Sequence, residues 1–222
     1  MRRRTRITIS LIAATLFSGC AATTPRESMQ SDVDQAVSII ERFTAIPESG
    51  IPPAVMRAAR GLAILTVGKA GFIGSIRGGR GVVVARTGNG WSGPSAIGTG
   101  GVGFGFQAGA EVSELVIVLN TPAAVDAFAK GGNVTLGGAF TVAVGPVGRT
   151  AQGDVSLQAA MYTYSRSQGL FAGISVEGTV IATRDQVNAA YYGMPVDARD
   201  ILAGKMQPPV DAQKLLAVLA KH

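Results

Sequence analysis

The sequence predicts an α+β fold: a mainly antiparallel, glycine-rich sheet, curled or barrel-like, with flanking N- and C-terminal helices. Three observations predict it. Helical periodicity is confined to the two ends and one internal segment. The stretch between them carries β-branched runs broken by many of the 30 glycines, which supply turns, bulges and close backbone approaches. The elements also fail to alternate strand, helix, strand as a parallel α/β chain would. With 47% hydrophobic and only 15% charged residues, the chain has enough apolar surface for a packed core and too little charge for disorder.

The first element is not part of that fold. Arg2, Arg3, Arg4 and Arg6 precede the apolar run from Ile7 to Phe17, the charge and hydropathy order of a secretory signal. The run is too short to span a bilayer, which takes about 20 apolar residues. The junction Leu16-Phe17-Ser18-Gly19-Cys20 resembles the lipobox of bacterial lipoproteins and implies cleavage after Gly19 and lipid attachment at Cys20. Cys20 is the sole cysteine, so no internal disulfide competes for it. Two or three acyl chains would hold the chain on a membrane, where one is marginal. Ala21 after the cysteine implies passage to the outer membrane, facing the periplasm or the cell surface. Residues 1–19 are therefore expected as signal peptide, 20–30 as a lipidated tether and 31–222 as a single domain.

Within the domain, Val33, Ala36, Val37, Ile40 and Phe43 recur on one helical face from Ser31. The opposite face carries Asp32, Asp34, Glu41 and Arg42, and its net acidity argues against lying on an anionic membrane. Pro53 to Arg60 is expected as a short helix with Gly61 as a left-handed cap. Strands are expected at Leu62 to Val67, Val82 to Ala85 and Glu114 to Leu119. Thr121-Pro122 supplies an N-cap and an N1 proline for a helix through Phe128 to Lys130. Strands resume at Val134 to Val144, Val155 to Tyr164 and Leu170 to Ala182. Thr183-Arg184-Asp185-Gln186 fits a capping box opening a helix that ends near Gly193. Asp197 caps another that stops at Gly204, and Val210 to Lys221 is a last amphipathic stretch with Leu215, Leu216, Val218 and Leu219 on its apolar side.

Charge and side-chain chemistry narrow the function. The formal charge of +6 is mostly the signal's arginines; without them 16 basic residues face 14 acidic ones, which makes no case for nucleic acid. Between Ser49 and Ala110 there is no acid, while Arg57, Arg60, Lys69, Arg77, Arg80 and Arg86 all fall there. Such a stretch is either a face that attracts anionic headgroups or a solvated strand surface. The single histidine is His222, at the C-terminal end, and the cysteine is acylated on this reading, so a Ser-His-Asp or Cys-His arrangement and a His or Cys metal site are not expected. Glu111, Glu177 and Asp154 are the acids a hydrolase would have to bring together. Gly98-Thr99-Gly100-Gly101-Val102-Gly103 has the letters of a dinucleotide fingerprint without its strand-to-helix context. No catalytic residue, metal or cofactor is expected. Trp91 is expected in the core or a turn rather than at a membrane interface.

The ordered motifs Lys69-Ala70-Gly71-Phe72, Gly81 to Arg86, Gly90-Trp91-Ser92-Gly93-Pro94, Gln107-Ala108-Gly109, Val144-Gly145-Pro146 and Tyr164 to Gly173, with Glu177-Gly178, resemble the SYLF domain family from about Ile51 to Ala182. The resemblance implies a lipid-binding, non-enzymatic module whose ligand is anionic phospholipid. Its candidate headgroup contacts are Lys69, Arg77, Arg80, Arg86, Arg149 and Arg166, arginine's planar fork being suited to phosphate. Strand alternation sends part of this set to the wrong face. The alternative is a structural or interaction lipoprotein that contacts an envelope protein or glycan without binding headgroups.

Overall fold

Residues Gly61 to Leu65 are buried at every position, since this half of their strand is covered on both faces. The computed structural model describes residues 23–45, 50–71, 74–104, 109–130, 134–135, 142–145, 159–169 and 180–222. Its helices are α1 (Pro25–Ala45), α2 (Pro53–Ala58), α3 (Pro122–Ala129), α4 (Asp185–Tyr192), α5 (Ala198–Leu202) and α6 (Gln213–Leu219). Its strands are β1 (Gly61–Gly71), β2 (Gly74–Thr87), β3 (Gly90–Trp91), β4 (Ser95–Phe104), β5 (Gly109–Leu119), β6 (Val134–Thr135), β7 (Val142–Val144), β8 (Met161–Gly169) and β9 (Val180–Thr183). They form one curled sheet in the order β6-β9-β4-β2-β1-β5-β8-β7, with β3 on β2. Every pairing is antiparallel except β7 with β8, so the sheet is mixed.

Alternation along the strands divides the core into two layers. Leu62, Ile64, Val82, Val84, Val116 and Val118 pack under Val33, Val37 and Ile40 of α1, together with α2, α4 and α6. Ala63, Leu65, Val83 and Ile117 face the other way, onto Phe128 of α3 and Leu202 of α5. Gly81 lets β1 and β2 approach closely: a Cβ there would stand 1.9 Å from the Ile64 carbonyl oxygen.

Three local expectations are corrected. Helix α1 begins at Pro25 rather than Ser31, because Thr24 and Glu27 form a reciprocal cap: Thr24 N donates to Glu27 Oε2 (2.9 Å) and Glu27 N to Thr24 Oγ1 (3.3 Å). Part of the expected tether is therefore helical. Gly61 is no left-handed cap but the first residue of β1, where a side chain would meet the Val84 carbonyl oxygen at 2.9 Å. The capping box at Thr183 does not form; Thr183 stays in β9 opposite Ile97, and Arg184 takes the N-cap position of α4 without a side-chain cap bond. Other signals are realised: Thr121 Oγ1 accepts from Ala124 N at 3.1 Å and Asp197 Oδ1 from Arg199 N at 2.7 Å, and the helices end near Gly193 and Gly204, which the structure shows to be left-handed at φ 74° and 72°.

Candidate functional site

Asp32 lies on the inner side of α1, four residues from Ser28 and from Ala36, and its side chain is fully buried. A buried carboxylate requires partners, and two arginines from distant parts of the chain supply them. Arg184 Nη1 donates to Asp32 Oδ2 at 3.0 Å, and Arg184 Nη2 donates to Ser28 Oγ at 3.1 Å. Arg80 Nε stands 2.8 Å from Asp32 Oδ1 as a charge contact whose N–H is not aimed at the oxygen. The Arg80 Nη groups point more loosely to Ser28 Oγ and Ser31 Oγ, both at 3.4 Å. Burial pushes the Asp32 carboxyl up to about 6, against the downward pull of Arg80 and Arg184.

The scaffold fixes both arginines. Arg80 sits in β2 opposite Thr66 and Gly98. Arg184 is held by its backbone, whose N–H donates to the Ala96 carbonyl at 2.9 Å, and one turn later buried Asn188 accepts from Ala96 N at 2.7 Å. Gly98 leaves room for the Arg184 stem, since a Cβ there would lie 3.2 Å from Arg184 Cδ. The guanidiniums stay accessible, with the Arg80 side chain 44% exposed and that of Arg184 29%. They border an open groove of about 450 Å³ whose other walls include Gly98, Thr99, Gly100 and Val180. This is a cationic concavity in which glycines expose backbone, and its chemistry suits an anion with several oxygen acceptors.

The other expected cations are dispersed. Lys69 and Arg77 are opposite each other on β1 and β2, on the sheet face away from α1, where Lys69 also lies opposite Glu111. Glu111 is buried and accepts from Ser113 Oγ at 3.0 Å, while Ser113 Oγ and Ser167 Oγ are 2.9 Å apart. Arg86, at the far end of β2, stacks on Trp91 with its guanidinium carbon 4.3 Å from the ring centroid. Burial holds that guanidinium below its usual range. Trp91 packs against the α1-side core and donates Nε1–H to the Leu219 carbonyl at 3.1 Å, as its expected core position requires. Arg166 is exposed on β8, opposite Glu114, which pairs with Arg42 of α1. It shares a face with Arg80, three strands away, or about 14 Å at the usual strand spacing. Cys20, Arg149, Asp154 and Glu177 lie outside the described residues.

Sequence reasoning missed Asp32 as a site residue and missed Arg184 entirely. One signal was present: Asp32 adjoins the apolar stripe of α1, between Met29 and Ala36, and an acid there must find cations. Nothing local pointed to Arg184, which is separated from Asp32 by 152 positions.

Beyond the Thr66 row, no helix among the described residues covers the α1-side face of the sheet. Ile76 on β2 and Val112 on β5 are 72% and 53% exposed, flanking β1 at Ala70 and Gly68. Among the described residues no helix is long and apolar enough to cross a membrane, and no three His, Cys, Asp or Glu side chains cluster as a metal site.

A family profile described as "Las17-binding protein actin regulator", Ysc84, matches residues 100–222, more than half of the chain. The chain belongs to the Ysc84 family. The SYLF resemblance is thereby borne out. SH3 domain-containing YSC84-like protein 1 of Rattus norvegicus is 50% identical over 200 residues, covering 86% of this chain and 59% of the relative. The Homo sapiens protein of the same name is also 50% identical, with 58% of its length covered. LAS seventeen-binding protein 3 of Saccharomyces cerevisiae is 43% identical over 202 residues, 86% of this chain and 44% of the relative. This Ysc84-family chain thus spans about three-fifths of the mammalian relatives, whose names also specify an SH3 domain. These relatives correct the expected location. They come from mammals and yeast, whose cells have no bacterial outer membrane, so neither family nor fold ties the Ysc84 domain to a periplasm-facing or surface site on one.

Proposed function

We propose that the chain is a non-catalytic binding module that docks on anionic phospholipid, with a headgroup phosphate taken in the groove between Arg80 and Arg184. One observation carries this reading: two accessible guanidiniums, held by the same buried carboxylate, border a groove walled partly by glycine backbone. Arginine presents planar, paired donors to phosphate oxygens, and two such groups on a rigid sheet and helix cap need little reorganisation to bind. Ile76 and Val112 on the same sheet face offer apolar contact to the interfacial layer, and Arg166 offers a second cation. Of the six cations expected from the sequence, the proposal keeps Arg80 and Arg166 and adds Arg184. Cys20, as a lipid attachment point, would add a tether, which mass spectrometry of the processed chain would register as an acyl adduct.

The test is sedimentation of the full chain with vesicles of phosphatidylglycerol or of phosphatidylcholine, at low and high salt. Retention on anionic vesicles that falls with salt and is lost in an Arg80→Gln, Arg184→Gln double variant is expected. Equal, salt-insensitive retention on both vesicles would sink the reading.

A second reading is favoured by the family's description, which names Las17 binding and actin regulation. Here the exposed Ile76 and Val112 would meet a protein partner. Cosedimentation with actin filaments by a chain indifferent to vesicles would select it.

A further inference from the structure

We infer that the Arg80–Arg184 groove is a proton-coupled phosphate site, in which the arriving anion takes over the arginines from Asp32 and Asp32 takes up a proton as it does so. The inference rests on the phospholipid reading above and concerns its regulation.

The geometry requires competition. Each Asp32 oxygen faces a different arginine, Oδ1 with Arg80 Nε and Oδ2 with Arg184 Nη1. An anion in the groove meets the same two guanidiniums from the open side, so it shares charge that the carboxylate needs. Asp32 has no route to water as compensation, its side chain being fully buried. Other charges on the elements packed against α1 do not replace the lost attraction. Glu114 of β5 is held by Arg42, Asp211 is held by Arg26, and Asp185 of α4 and Lys214 of α6 are exposed. Arg80 and Arg184 are the charges that act on Asp32. Drawing them toward a phosphate leaves burial as the dominant influence, and burial favours the neutral acid.

The sign follows from linkage. With the carboxyl already near 6 in the free protein, a bound anion moves it higher, so the complex holds more protons than the free chain near neutrality. Affinity therefore rises as pH falls, by about ten-fold between roughly pH 8 and pH 5 for each unit by which the anion raises the group. In the protonated state the two arginines present their full charge to the ligand.

The experiment measures binding of the full chain to phosphatidylglycerol vesicles, whose phosphodiester charge is constant over this range, with phosphatidylcholine as control. The wild type should bind about ten-fold more tightly at the acidic end, and Asp32→Asn should bind at all pH values at least as well as the wild type at low pH. Should Asp32→Asn fail to fold, calorimetry of the wild type in buffers of different ionisation enthalpy reads the proton uptake directly. Dimethyl phosphate, a soluble phosphodiester, separates the sources: competition assigns the site to the phosphate group itself, and binding confined to vesicles assigns it to headgroups presented on a surface. Binding through the arginines that is flat with pH, or complex formation without proton uptake, overturns this inference and leaves the phospholipid reading standing. No binding to anionic vesicles at any pH overturns the phospholipid reading itself.

Discussion

Gly81→Ala should be among the most damaging single-methyl additions in the sheet, and Gly78→Ala, three positions away on the same strand, should be harmless. The Gly81 Cβ would lie 1.9 Å from the Ile64 carbonyl oxygen, 2.7 Å from Leu65 Cα and 2.9 Å from Ile64 C, all of them backbone atoms of the neighbouring strand. No side chain can swing away. Relief to an ordinary contact needs β1 and β2 to part by over about 1 Å against a ladder spacing near 4.8 Å, which stretches the two bonds of the adjacent Ile64–Val82 pair beyond hydrogen-bonding distance. Ile64 is 1% exposed and Val82 0%, so water does not replace those bonds. Each bond lost without water costs about 1 to 3 kcal/mol, so two of them cost roughly 2 to 6 kcal/mol, a large part of a domain's usual 5 to 15. At Gly78 no atom lies within 4 Å of the added carbon, and alanine restricts the unfolded chain, so the change should fall between about 0 and 1 kcal/mol stabilising. Urea unfolding followed by Trp91 fluorescence and far-ultraviolet dichroism measures both. A Gly81→Ala protein within about 1 kcal/mol of wild type, or equal losses for the two variants, would refute the close-approach argument.

Three further outcomes are expected. Asp32 is raised in the folded state above its unfolded value of 3.8, so its contribution to stability is present at acid pH and lost as pH rises through about 6; urea midpoints should show the wild type gaining on the order of 1 to 2 kcal/mol on acidification, and Asp32→Asn should abolish that gain. Arg86→Met should lower stability by about 1 kcal/mol and alter the emission of Trp91 through loss of the stacked guanidinium, while vesicle retention stays at the wild-type level. Thr121→Ala should cost about 1 kcal/mol by leaving Ala124 N–H at the start of α3 without its side-chain acceptor, a loss that denaturation at one pH detects.

What could be read from the sequence followed locality. The caps at Thr121 and Asp197 and the helix ends near Gly193 and Gly204 are decided within four residues, and they appear as expected. Thr24-Pro25-Arg26-Glu27 is equally local, a capping box with proline at its first helical position, but its polar surroundings resemble a linker and hid it. Thr183 to Gln186 failed for the opposite reason. The local cap would have needed Thr183 out of the sheet, whereas the β9 ladder and the reach of Arg184 to Asp32 hold it in. Among the glycines, Gly98 shows why letters mislead: it belongs to a string resembling a nucleotide fingerprint, yet its role is to admit the stem of an arginine. The six candidate cations could be found by composition and family motif, but not sorted. Register places Arg80 and Arg166 on one face and Lys69 and Arg77 on the other, and Arg86 is claimed by Trp91.

The acidity of α1 changes meaning once the side chains are placed. From the sequence alone, Asp32, Asp34 and Glu41 together count against a helix that approaches an anionic surface. Asp32, however, is absent from the outer face: it is fully buried and binds the two arginines from within. Glu27 is spent on the helix cap, where Thr24 lowers its carboxyl below the usual range. Arg26 and Arg42 turn outward to Asp211 and Glu114. The doubly paired acid of the helix therefore faces inward, and its effect on the surface is the reverse of the one its sign suggests. A buried carboxylate does not repel a membrane across the protein so much as it holds two guanidiniums at the mouth of one groove. The acid is what makes the cations converge, and it is also the group they must release when another anion arrives.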